Sequence, residues 1–96
     1  MTTAGRLLRE VAADPRVDLE TVAKQLGISV RELHACRDGY GALPVELQIL
    51  LAAMILDVAP EHGRRARQLH AQAQSALRVR DGSVESHMTY YWRRPR

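Results

Sequence analysis

Arg31 is the residue of this chain best suited to recognition chemistry. A guanidinium presents a planar fork of donors that matches guanine O6 and N7, and Arg31 follows Ser29 and Val30 at the start of a helical pattern. The plainer reading of Arg31 is a solvated side chain in a first helical turn. One turn further on, His34 reads as a surface residue more than a base reader. Cys36 repeats the inward spacing of Leu33, so it is expected to be a small core hydrophobe and not a reactive thiol. His62 and His70 have no carboxylate or thiol at metal-ligand spacing, so no metal site is expected. Arg64, Arg65 and Arg67 suit either phosphate or an acidic partner, or simply form a solvated face. Tyr90, Tyr91 and Trp92 beside Arg93 and Arg94 could stack on unpaired bases, or form an adhesive end without a fixed role. No glycine-rich phosphate loop, HExxH or CxxC is present, and no paired carboxylates flank a nucleophile. Catalysis is therefore not expected, and no cofactor is implied.

The elements that must position these residues are helical throughout. A first helix is predicted over Thr3–Ala13, with Leu7, Leu8 and Val11 inward and Asp14-Pro15 ending it. Asp18 is placed to cap a second helix, Leu19–Leu26, on which Val22, Ala23 and Leu26 share one face. Gly27 follows, where a tight turn favours a residue free to adopt positive φ, and Ile28 plugs the turn. Ser29 and Glu32 then form a capping box for a third helix, Val30–Arg37. Gly39 sits where a helix C-terminus uses glycine.

The ordered set from Leu19 to Gly39 has the layout of a helix-turn-helix. It resembles the DNA-binding motif of the Xre-type family, the phage repressors and their relatives. The stretch ALPVELQILLA extends the resemblance weakly into the next helix. The resemblance implies an all-α domain whose recognition helix enters the major groove of double-stranded DNA. Carried over by position, it makes Ser29, Val30, Arg31, His34 and Ala35 the DNA-binding candidates. Several family members carry amides at the Val30, Arg31 and Ala35 positions, and a polar phosphate-binding residue where this chain has Leu19.

Charge is distributed unevenly around that motif. Residues 1–59 hold six basic groups, Arg6, Arg9, Arg16, Lys24, Arg31 and Arg37, against eight acidic ones. The basic excess falls instead at Arg64, Arg65, Arg67, Arg78 and Arg80, with Glu61 the one acid over residues 60–80. Proteins that bind DNA usually gather basic residues on the recognition face, because phosphate neutralisation dominates affinity.

The remaining helices raise the question of a partner. Helix four, from Pro44 to Asp57, is apolar around nearly its whole circumference, broken mainly by Glu46 and Gln48. Such a helix is central in a core or shared with another chain. Helix five is predicted from Pro60 to about Arg80, with a narrow apolar stripe of Ala66, Leu69, Ala73, Ala76 and Leu77 that suits a partner helix more than deep burial. Leu47, Ile49, Leu50, Met54, Leu69 and Leu77 are the residues expected in a homodimer interface. From Asp81 to Arg96 the pattern stops and a flexible basic and aromatic tail is expected.

With 96 residues, the chain suits one small five-helix bundle over residues 1–80 plus that tail. Phe is absent, so the core must be built from aliphatic side chains. A single cysteine and no signal-peptide pattern point to a reducing, cytoplasmic setting. The longest apolar run, Ile49–Leu56, is far short of the ~20 residues that span a bilayer. Two functional readings stand: a dimeric Xre-type transcriptional regulator, and the same fold used as a protein-interaction or oligomerisation module.

Overall fold

The computed structural model describes the backbone of residues 2–93 and the side chains of residues 2–79. The described residues form α1 (Thr3–Ala12), α2 (Leu19–Leu26), α3 (Val30–Arg37), α4 (Val45–Val58) and α5 (Gly63–Arg93), with a 3₁₀ turn at Pro60–His62 and no strand. The all-α, five-helix reading holds. The bounds of α2 and α3 coincide with those read from the caps.

Each start follows from local chemistry. Thr2 caps α1, its hydroxyl accepting the Gly5 N–H at 3.0 Å. Asp18 caps α2 through Glu20 N–H at 3.1 Å, and its other oxygen accepts the Thr21 hydroxyl at 2.9 Å. Pro44 lies one position outside α4 instead of opening it, and its carbonyl accepts from the Leu47 and Gln48 N–H groups. Gln48 also donates its side-chain amide to the Leu43 carbonyl at 2.8 Å, which holds the α3–α4 loop against α4. Pro60 starts the 3₁₀ turn, so α5 proper begins three residues later than the proline suggested.

The core is aliphatic. Leu7, Leu8, Leu33 and Leu51 are wholly buried, with Val11, Cys36, Ile55 and Leu69 beside them, and no polar or charged residue is buried among those described. Each fully buried Leu or Ile side chain contributes about 1.5–3 kcal/mol. Helix α1 packs against both α3 and α5, while α4 and α5 share the most extensive helix contact.

The α4–α5 contact corrects two sequence expectations. Ala66, Leu69 and Ala73 are buried within this chain's own core and do not form an exposed seam. Leu69 is only 1% exposed, which removes it from any surface interface. Most of the apolar excess of α4 is likewise absorbed. Leu51, Ala52 and Ile55 are buried, and Leu47, Met54 and Leu56 pack at the edge of the core. Ile49 and Leu77 are half-buried. Leu50, at 49% exposure, is the one member of the expected interface that is truly exposed, and Val58 at 48% joins it.

The helical backbone of α5 continues through Arg93, beyond the end expected near Arg80. The side chains expected to form a tail from Asp81, including Tyr90, Tyr91 and Trp92, lie outside the described residues. No helix among the described residues is long and apolar enough to cross a membrane.

Candidate nucleic-acid interface

The joint between α2 and α3 is closed by backbone geometry. Gly27 adopts φ +77°, in the left-handed region. Its N–H donates to the Lys24 carbonyl at 3.2 Å, and the Ile28 N–H reaches back to the Ala23 carbonyl at 3.0 Å. A Cβ at position 27 would meet no atom within 4 Å, so glycine is favoured there by its φ and not by crowding. Ala23 is buried where the two helices meet. Ser29 and Glu32 complete a full capping box.

That box determines what the first turn of α3 can offer. The Ser29 hydroxyl accepts the Glu32 N–H at 3.1 Å and donates to Glu32 Oε1 at 3.2 Å, while the Ser29 N–H donates to the same oxygen at 3.2 Å. Ser29 is exposed, but its hydroxyl is committed to the cap. Val30 is half-buried against the core. Arg31 is exposed and has no hydrogen bond or ion pair among the described residues, so its five donors are presented to solvent. His34 and Ala35 are half-buried. Ala35 lines a cleft of about 240 Å³ between α3 and the following loop, with Ile28, Gly41, Leu43 and Leu47. It therefore faces the α3–α4 loop. Of the five candidates taken from the motif, Arg31 alone is both exposed and uncommitted.

The surrounding electrostatics are mixed. At the C-terminal end of α3, Arg37 pairs with Asp38 through two hydrogen bonds of 3.0 and 3.2 Å. Arg37 holds the Asp38 carboxyl below its ordinary range. Arg9 of α1 donates to the Arg37 carbonyl at 3.1 Å, which ties α1 to the end of α3. The N-terminus of α2, where backbone N–H groups would welcome a phosphate, is already occupied by the Asp18 carboxylate. Burial pushes the Cys36 thiol upward, as suits a core residue beneath the motif.

The basic group of α5 is a separate surface. Helix α1 lies between α3 and α5 in the packing. Arg64 and Arg67 are exposed, while Arg65 is half-buried and donates to Glu10 at 3.1 Å. The sequence candidates thus divide into Arg31 on one face and Arg64 with Arg67 on another.

Sequence reasoning missed two tertiary pairings. Arg9 was legible only as a helix-surface charge, since its target is a backbone carbonyl 28 residues away. His62 was weighed only as a metal ligand with His70, whereas it binds Glu10 and Asp14. The signal available was that two carboxylates four residues apart at the end of α1 needed a cationic partner.

Compared with known proteins, the chain matches no family model, no curated protein and no solved structure.

Proposed function

We propose that this chain is a small helix-turn-helix DNA-binding protein, with the first turn of α3 offered to the major groove and Arg31 as its base-reading residue. The observation that carries this reading is the exposed, uncommitted guanidinium of Arg31 on a helix fixed by the Gly27 turn and the Ser29–Glu32 box. A bidentate Arg–guanine contact discriminates by about 1–3 kcal/mol. Arg64 and Arg67 supply sequence-independent attraction to phosphate. Dimeric transcriptional regulation is the finer form of the proposal, with Leu50 and Val58 on α4 as the apolar residues available to a second copy.

The test is selection of preferred duplexes from a random pool, followed by affinity measurements on a selected and a random duplex across salt concentrations. The proposal predicts measurable binding at low salt with a steep negative salt dependence. It also predicts that Arg31→Ala weakens the selected duplex more than the random one.

A second reading is favoured by one specific observation. Asp18, Glu20, Glu32 and Asp38 outnumber Lys24, Arg31 and Arg37 on α2, α3 and their flanks. That balance suits a protein-interaction module better than a polyanion. No duplex binding at low salt would select it.

A further inference from the structure

The joint between the end of α1 and the start of α5 is a six-group electrostatic cluster. His62, the last residue of the 3₁₀ turn, has a side chain only 17% exposed. Its Nδ1 lies 2.7 Å from Glu10 Oε2 and its Nε2 lies 2.9 Å from Asp14 Oδ2. An ionised carboxylate only accepts hydrogen bonds, so both ring nitrogens must donate, and only the imidazolium carries two N–H groups. The other charges facing the site are matched to that state. Arg65 of α5 donates to Glu10 at 3.1 Å. Arg16, in the α1–α2 loop, reaches Asp14 at 2.7 Å and Glu61 of the 3₁₀ turn at 2.8 Å. Arg64 lines the adjoining cleft with Glu10, Glu61 and Arg65. Helix α4, which also packs on the turn, brings Asp57 at its end, and Asp57 makes no hydrogen bond or ion pair among the described residues. Within the bonded cluster, Glu10, Asp14 and Glu61 are balanced by Arg16, Arg65 and a charged His62, and one negative charge is left uncompensated once His62 is neutral.

We infer that His62 is a proton-operated clamp, holding the end of α1 to the start of α5 while both ring nitrogens are protonated and loosening that joint when one proton leaves. Neutral imidazole keeps one N–H, so a bare ring nitrogen then faces a carboxylate oxygen at hydrogen-bond distance. The regulated quantity is the attachment of the first turn of α5, which carries Arg64 and Arg67, to α1. This inference is independent of whether DNA is bound.

The pH direction follows from the shifts. Hydrogen bonds from Glu10 first, then Asp14, raise His62 above its ordinary value of 6.5. The stabilisation from His62 is therefore complete below about pH 6.5 and is lost as pH rises through the raised value. The His62 hydrogen bond lowers Glu10, and Arg16 with His62 lowers Asp14. Their contribution is present above the ordinary carboxylate values of 4.5 and 3.8 and fades as pH falls through the lowered ones. The clamp is strongest between roughly pH 4.5 and 6.5.

Nitrogen-15 NMR of the histidine rings, together with amide exchange over residues 63–67, tests this on the full chain. At pH 6 both His62 ring nitrogens should be protonated, and the ring should titrate above 6.5. After correction for intrinsic exchange, opening of residues 63–67 should increase on going from pH 6 to pH 8.5, by about tenfold for each unit by which His62 is raised. Asp14→Asn should move the His62 titration downward, and His62→Gln should abolish the pH dependence of opening. A ring that titrates at or below 6.5, or corrected exchange that is unchanged between the two pH values, would overturn the clamp. Both decisive readings come from the wild-type chain, so they stand even if a variant folds poorly.

Discussion

The two sides of α1 are held by different kinds of contact. On the α3 side, the polar bonds within the helix-turn-helix are local: Ser29 with Glu32 is separated by three residues, and Arg37 with Asp38 by one. Helix α1 is tied to it by Arg9 donating to the Arg37 backbone carbonyl across 28 residues. On the α5 side they are distant: His62 reaches Glu10 across 52 residues, Arg65 reaches Glu10 across 55, and Thr3 donates to Gln72 across 69. Local contacts set the ends of helices and the turn between them. Distant ones set how the helices sit together, and at His62, Glu10 and Asp14 they do so with charges whose state depends on pH. The ends of α2 and α3 are thereby set largely from within, while the joint between α1 and α5 carries groups that respond to pH.

Mutations sharpen that contrast in order of expected effect. Leu33→Ala and Leu69→Ala, one on each side, should each cost about 2–5 kcal/mol in urea unfolding, because both side chains are buried in the common core. A much smaller loss for Leu69→Ala would mean that α5 is not part of the cooperative core. Gly27→Ala should cost about 1–2 kcal/mol, since alanine is strained at φ +77° although it has room. Ser29→Ala should cost about 1 kcal/mol by removing the α3 cap. Asp should substitute for Ser29 with little loss of stability if the cap is what matters. These two motif changes should shift stability equally at pH 6 and pH 8.5, whereas His62→Gln should shift it more at pH 6.

The smallest effect on the fold is expected at Leu50 and Val58. Leu50→Ser with Val58→Ser should leave the unfolding of a single chain nearly unchanged, since both side chains are about half exposed. If a second copy covers them, the double variant should lower the molar mass measured by light scattering. A mass equal to one chain for wild type and variant alike would remove α4 from any assembly.

The same contrast explains what the sequence could convey. The bounds of α2 and α3, the Gly27 turn and the Ser29–Glu32 box were legible because their determinants lie within a few residues of one another. How much of the apolar surface of α4 is covered within the chain was left open by the sequence, because it depends on α2, α5 and the α3–α4 loop. The Ala66–Leu69–Ala73 stripe gave no sign that it would be covered by other helices of the same chain. In the candidate site, Arg31 could be singled out from its position. The commitment of the Ser29 hydroxyl followed from the cap, but Ala35 facing Gly41 and the α3–α4 loop needed the tertiary path of the chain. His62 could not be paired with Glu10 and Asp14 without knowing that the end of α1 meets the start of α5.

Titration of wild-type, Arg31→Ala and Arg64→Ala proteins against a selected and a random duplex, across a range of salt, tests most directly whether α3 reads DNA. Arg31→Ala should lose about 5- to 150-fold on the selected duplex, the equivalent of about 1–3 kcal/mol, and far less on the random one. Arg64→Ala, on the separate α5 face, should weaken both duplexes alike and by far less than Arg31→Ala weakens the selected one. Equal losses for Arg31→Ala on the two duplexes, or no binding by the wild-type chain at low salt, would contradict the reading.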